Sequence, residues 1–446
     1  MRYEKYISVP DAIWFDVVPD SWRALKMRGV FSERNTKVSD KDYPALSVGK
    51  MGVVPQLDTA VKTDNGDNRK LICKGDFAIN SRSDRKGSSG ISQYDGSASL
   101  IITVLKPHRS LNGRFYHYLL RGHYFAEEFY RNGHGLVSDL WTTKWDEMRN
   151  IYIPVPPREE QDQIVRYLDW QVSKINKLIH GYQWKIKLLE ERRQTIIDQT
   201  SLEGVDGVKL IDSGTHWVKQ IPENWKMVYS KKLFAERKDK AFLNDEQLTA
   251  SQKYGVISQK EFMEKVGRRV TVVTKGGDIL KHVGKGDFII SMRSFQGGLE
   301  YSYVEGKISS AYVMLIPRKG LVYDEYFKWF LKSTPYIKAL QGTADLVRDG
   351  QALRYANFAK VPLPQVPIDE QKRIADYIEQ ETAKIDRAIP VLEKEIELLK
   401  EYRTRLISDV VTGQMDVRNV EVPEYTPEED IAEEAPEEQE VEMDAD

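Results

Sequence analysis

A chain of 446 residues, 41% of them hydrophobic, is long enough for two to four domains that each bury a core. Its longest clearly apolar stretch, Leu100 to Leu105, is too short to span a bilayer, and Met1-Arg2-Tyr3-Glu4-Lys5-Tyr6 lacks the apolar core of a signal peptide, so a cytoplasmic protein with no membrane partner is expected. The single cysteine, Cys73, excludes an internal disulfide framework, fits a reducing compartment and reads as core filler.

The net charge of −2 conceals an asymmetry. No Lys or Arg follows Arg418, and 13 acidic residues lie between Glu421 and Asp446. Removing those 13 from the 68 acidic residues leaves 55 against 66 basic ones, so the body carries +11. A basic body with a detached acidic tail fits a polyanion binder, and equally a soluble surface with a modest positive excess.

In chain order, the first feature is Trp14-Phe15-Asp16-Val17-Val18-Pro19-Asp20-Ser21-Trp22. Its pattern returns 203 residues later, from Trp217 to Trp225. Phe31-Ser32-Glu33-Arg34 returns as Phe234-Ala235-Glu236-Arg237, Gly75-Asp76-Phe77 as Gly286-Asp287-Phe288, Asp95-Gly96 as Glu305-Gly306, and Glu160-Gln161 as Glu370-Gln371. A repeat of that length is a tandem domain duplication and not a solenoid of short units.

Residues 1–157 and 203–367 read as two mixed α/β domains. Short runs such as Phe77-Ala78-Ile79-Asn80 and Tyr312-Val313-Met314-Leu315-Ile316, set between Gly-rich turns, predict strands. Phe115, Tyr118, Leu119, Phe125 and Phe129, and later Tyr326, Phe327, Trp329, Phe330 and Ile337, are spaced as helix core faces, a pattern of packing before one of base stacking. Each domain ends in proline punctuation, Ile153-Pro154-Val155-Pro156-Pro157 and Leu363-Pro364-Gln365-Val366-Pro367, which sets a sharp start for the next element.

That element, at 158–202 and again at 368–413, is a long helix. The first seam runs Ile164, Leu168, Val172, Ile175, Ile179, Tyr182, Ile186, Leu189, Arg193, Ile196. The second runs Ile374, Ile378, Thr382, Ile385, Ile389, Leu392, Ile396, Leu399, Arg403, Leu406, every member displaced by 210. The three-and-four stepping is an a/d seam, and a narrow seam on a solvated helix needs a partner. The simplest partner for each is the other, so an antiparallel coiled coil with a pseudo-twofold is expected. Pro390 predicts a kink near Arg387. The acidic tail, 414–446, reads as lacking fixed structure.

No catalytic signature emerges. Gly284-Lys285-Gly286 has neither the spacing nor the hydroxyl residue of a phosphate loop, Val155-Pro156-Pro157 lacks the amide needed for amino methylation, and the seven histidines show no metal-ligand spacing. No catalytic, cofactor-binding or metal-binding residue is therefore assigned, which favours a recognition or assembly component.

Together these residues resemble the specificity subunits of type I restriction–modification systems across almost the whole chain. The resemblance rests on the segments from Pro156 to Gln161 and from Val366 to Gln371, on Glu381-Thr382-Ala383-Lys384-Ile385-Asp386, and on Ser213-Gly214 with Trp217. It rests also on Ser291-Met292-Arg293-Ser294-Phe295-Gln296-Gly297-Gly298 and on Leu406-Ile407-Ser408-Asp409-Val410-Val411-Thr412-Gly413. It implies two target-recognition domains, each reading half of a split asymmetric site on double-stranded DNA. It also implies helices that bind two modification subunits, with restriction subunits joining them. S-adenosylmethionine, ATP and Mg would belong to those partners, which carry adenine methylation and ATP-dependent cleavage.

Candidate DNA contacts lie on turn-rich segments: Arg82, Arg85 and Lys86 in the first copy, and Arg293, Ser294, Gln296 and Arg348 in the second. Arg pairs with guanine and Gln with adenine, although the same residues also fit fold-specific turns. A type II-like methyltransferase specificity arm and a coiled-coil scaffold are the competing readings; a scaffold predicts no salt-sensitive duplex binding. Arg293→Ala is expected to weaken cognate binding by about 1–3 kcal/mol in a gel-shift titration if Arg293 reads a base.

Overall fold

The computed structural model describes residues 2–56, 66–82, 87–108, 111–135, 141–251, 254–267, 280–291, 299–343, 346–347, 350–351 and 354–427. The chain divides into two compact units. Unit 1 is Met1–Gln183 together with Glu393 and the described residues after it, and unit 2 is Trp184–Leu392. In unit 1 a four-stranded antiparallel sheet has the order Ser89–Ile91, Phe77–Asn80, Ile102–Pro107, Phe31–Glu33. Helices α1 (Gly113–Arg121), α2 (His123–Arg131) and the short α3 (Trp145–Met148) complete the domain before α4 (Arg158–Glu203) begins. The aromatic stripe of the first copy thus resolves into two helices that break at Gly122.

Unit 2 repeats the design. Its sheet has the order Phe234–Glu236, Tyr312–Pro317, Phe288–Ser291, Glu300–Tyr301, and its helices are α5 (Gln259–Val266), α6 (Asp324–Phe330), α7 (Thr334–Gln341), α8 (Tyr355–Lys360) and α9 (Ile368–Val411). The register agrees between copies: Phe31 pairs with Pro107 as Phe234 pairs with Pro317. Phe115, Tyr116 and Phe125 of unit 1 and Tyr326, Phe327 and Tyr336 of unit 2 are fully buried. Burying rings of this size supplies each core with several kcal/mol per side chain.

Two motifs that stand far apart in the sequence converge on one interaction. Arg34 donates to Asp76 through Nε at 2.6 Å and Nη2 at 3.1 Å, and Arg237 donates to Asp287 through Nε at 2.5 Å and Nη2 at 3.0 Å. Each aspartate also accepts a backbone N–H from its own turn, Cys73 in one copy and Gly284 in the other. The preceding glycines, Gly75 and Gly286, have φ of 88° and 96°, a region a side chain strains to occupy. The recurring Gly-Asp-Phe is therefore a left-handed turn, a buried charge partner and a core ring in succession. Hydrogen bonding to the carboxylate pushes both guanidinium pKa values up, so neither ion releases its proton.

The long helices pair antiparallel within each unit. In unit 1, Arg403 Nη1 donates to Asn176 Oδ1 at 2.8 Å; in unit 2, Arg193 donates to Asp386 at 2.8 Å and Arg373 to Asp206 at 2.6 Å. Ile164, Leu168, Val172, Ile175 and Ile179 are buried on α4, as are Ile374, Ile378, Ile385, Leu392 and Ile396 on α9. Ile186, Leu189, Ile389 and Leu399 are half-buried, so the seam loosens toward the middle of each helix. Helix α9 is continuous through the exposed Pro390.

The tail corrects the expectation that fixed structure stops at 414. Val417 is 1% exposed, and Gln163 Nε2 donates to the carbonyls of Val417 at 3.0 Å and Val420 at 2.7 Å. Arg418 stacks over the Tyr3 ring at 4.7 Å while pairing with Asp416. These anchors outweigh the low apolar content from which disorder was expected. The tail from 428 onward lies outside the described residues.

Gly96 and Gly306 explain the repeated acid–glycine pair. A Cβ on Gly96 would sit 2.6 Å from the Pro44 carbonyl oxygen and 2.7 Å from Leu46, and one on Gly306 would strike the Glu246 carbonyl and Leu248. Gly96→Ala and Gly306→Ala are each expected to cost about 1–3 kcal/mol by overpacking, read as a lowered midpoint in urea denaturation.

Candidate nucleic-acid interface

The start of each long helix is tied to its domain by the Glu-Gln pair that the sequence repeats. Gln161 accepts the Asn112 backbone N–H at 2.9 Å and donates to the Pro156 carbonyl at 2.9 Å. Gln371 accepts from Tyr323 at 2.7 Å and donates to the carbonyls of Leu321 and Val366 at 2.9 and 2.8 Å. The neighbouring glutamate holds the opening hairpin. Glu370 accepts from Trp225 Nε1 and Asn224 Nδ2, both at 2.9 Å. In unit 1 Glu160 accepts instead from the Tyr3 hydroxyl, and Trp22 packs edge-on against Tyr3 at 5.9 Å. Burial, and then the Glu160 carboxylate, push the Tyr3 phenol well above its ordinary pKa, so it remains a donor.

This knot fixes which side of each domain faces away from the helices. Of the predicted DNA contacts, Arg82 is exposed; it lies just past the strand Phe77–Asn80, bridged to Thr142, with its N–H donated to Asn80 Oδ1 at 3.1 Å. Its backbone is thereby held while its side chain is free to reach outward. Arg85, Lys86, Arg293, Ser294, Gln296 and Arg348 lie outside the described residues.

Sequence reasoning missed a groove of about 1090 Å³ in unit 2. It runs between the Ser213–Thr215 turn, the edge strand Phe234–Glu236 and helix α8, and is lined by Tyr229, Lys231, Lys232, Lys238, Arg318 and Tyr355. The four cationic side chains are exposed. Lys231 Nζ lies 5.6 Å from the Tyr229 ring centre, Lys232 donates to Gln365 at 3.1 Å, and Lys238 sits 3.8 Å from Glu236. Arg318 follows Pro317, which the register sets opposite Phe234, so strand pairing closes a gap of some eighty residues in the chain. Among the described residues no cluster of His, Cys, Asp and Glu fits a metal ion, and no helix is long and apolar enough to cross a membrane.

Comparison with known proteins agrees with this architecture. The type I restriction modification DNA specificity domain matches residues 222–397. A putative type I restriction enzyme MjaX specificity subunit of Methanocaldococcus jannaschii is 21% identical over 430 residues, covering 90% of this chain and 95% of that one. The type I restriction enzyme MjaVIII specificity subunit of the same organism is 22% identical over 289 residues, covering 61% of this chain and 64% of that one. A chain solved in work on complex assembly and conformational transition of the type I R-M system shares the fold, with a TM-score of 0.67 at 14% identity over 89% of this chain and 99% of that one. The shared fold is a duplicated one in which each mixed sheet-and-helix domain leads into a long helix. The chain thus carries a match to the type I DNA specificity domain at 222–397, and along most of its length it is similar to type I restriction enzyme specificity subunits.

Arg237→Met is expected to destabilise unit 2 by about 3–5 kcal/mol, because Asp287, 2% exposed at its side chain, would keep a buried charge without its cation. Thermal unfolding of the full chain followed by circular dichroism checks this; an unshifted transition would make the ion pair dispensable to the fold.

Proposed function

We propose that this chain is the sequence-reading subunit of a type I restriction–modification complex and binds a split, asymmetric site on double-stranded DNA. The observation that carries this is the internal duplication. Two domains share strand order, register and the Arg–Asp pair, yet differ in the exposed residues on their turns and grooves. Equal scaffolds with unequal surfaces suit two half-sites of unequal sequence, as identical halves suit a palindrome. In this reading methylation and cleavage come from modification and restriction subunits that bring S-adenosylmethionine, ATP and Mg.

Docking of two modification subunits on the helix pairs fits the apolar residues that α4 and α9 leave exposed, Leu188 at 46% and Leu398 at 49% in equivalent positions and Trp184 at 59%. Base reading by Arg82, Arg85, Lys86, Arg293, Ser294, Gln296 and Arg348 belongs to the same proposal, with phosphate contacts positioning each domain and base edges specifying it.

The test is domain exchange. Replacing residues 210–365 by the corresponding stretch of another family member, and mapping methylated adenines in cells that also supply the modification subunits, is expected to change one half of the methylated site and leave the other half intact. A site altered in both halves, or in neither, would contradict the reading of one half-site per domain.

A further inference from the structure

The groove of unit 2 has a counterpart in unit 1 whose differences are informative. Register makes the assignment. Arg318 donates its backbone N–H to Leu233 as His108 does to Val30, and Tyr229 is paired with Pro362 as Lys26 is with Tyr152. The single turn Ser230–Lys232 corresponds to Met27–Gly29. Lys231 therefore replaces Arg28, Lys232 replaces Gly29, and Lys238 stands where unit 1 has Asn35.

Both copies keep a cation beside a tyrosine, but draw the two side chains from different chain positions. In unit 1 Lys26 Nζ lies 5.2 Å from the Tyr152 ring; in unit 2 the ring is Tyr229, at the Lys26 position, and the cation comes from Lys231. Retaining the pair while swapping its source indicates that the location needs the chemistry. The charge is unequal: four cations against Glu236 in unit 2, and Lys26 and Arg28 against Glu33 in unit 1. Among the described residues, Lys231, Lys232 and Arg318 have no ion-pair partner, so their charge is available to an anion.

From this we infer that the groove of unit 2 is a track for the phosphate backbone of duplex DNA, and that this domain supplies the larger share of sequence-independent affinity. The inference rests on the DNA-recognition reading and deepens it. Four exposed cations around an open groove suit a polyanion such as the phosphate backbone, whose charges repeat closely along each strand. Solvated lysines without fixed geometry provide point charges and not the bidentate pattern that discriminates a base. The groove therefore holds the duplex in register while other turns read it.

The test uses the full chain and a labelled duplex of random sequence, which reports backbone affinity alone. The variant Lys231→Ala/Lys232→Ala/Lys238→Ala/Arg318→Ala removes four exposed side chains outside the core. A control removes the same charge elsewhere on the unit: Lys209→Ala/Lys260→Ala/Lys338→Ala/Lys372→Ala. Association constants are measured across a range of salt concentrations. The groove variant is expected to bind at least about tenfold more weakly at low salt, with a log–log salt slope shallower by about 3–4, while the control keeps most of the wild-type slope. A groove variant with wild-type affinity and slope overturns the assignment, as does a control that loses as much. A wild-type protein with no salt-dependent duplex binding would instead overturn the DNA-recognition reading itself, so the two failures are distinguishable.

Discussion

The side-chain amide of the glutamine at the second position of the Glu-Gln pair fixes how each domain meets its helix. Gln161 and Gln371 each sit inside the first turn of a long helix, buried, and bond both to the proline strand they have just left and to the loop that opens the aromatic helices. Buried amides in a low-dielectric setting are costly unless satisfied, and here carbonyl and NH2 both are. The helix axis, the hairpin held by the adjacent glutamate and the first helix of the aromatic core are consequently set by three or four hydrogen bonds. The prolines before the pair make this possible, since they forbid the helix from starting earlier.

Internal duplication separates what the fold requires from what varies. The buried ion pair, the left-handed glycine before it, the glycine against a carbonyl and the amide knot occur in both halves, because each sits where no other side chain fits or where an unpaired charge would be stranded. Polar layers in the helix seams are kept in kind but not in identity: Arg193 meets Asp386 in one unit, whereas Arg403 meets Asn176 in the other. A polar pair set into the seam opposes slippage of its otherwise apolar register. Exposed positions around the groove follow no such rule, and there the copies part company.

Much of the scaffold was legible in the residues because it is written in periodicity. The displaced seams, the short apolar runs at Phe77 and Tyr312 and the prolines before each helix translate directly into elements. Pro390 lies inside a continuous helix of 44 residues, so it does not end the element. The tail misled because low apolar content hid Val417 and the backbone carbonyls that Gln163 captures. The groove was illegible because Lys231, Lys238 and Arg318 are joined only by strand pairing. Subtracting one repeat from the other at fixed offset would have revealed it, as lysines in place of Gly29 and Asn35.

Unit 1 is assembled from both ends of the chain. Tyr6 donates its hydroxyl to the Gly413 carbonyl, and Gly413, at φ 74°, lies against Pro19 and Trp22, just as Gly204, at the same φ, lies against Pro222 and Trp225 in unit 2. The helix end that completes unit 2 is adjacent in the chain to the hairpin it supports; the one that completes unit 1 is synthesised some four hundred residues after its partner. Emerging from the ribosome, Trp184–Leu392 carries everything its own core needs. The amino-terminal unit must wait for residues 413–418 before Trp22 and Tyr3 are capped, and a product truncated before them would lack that cap.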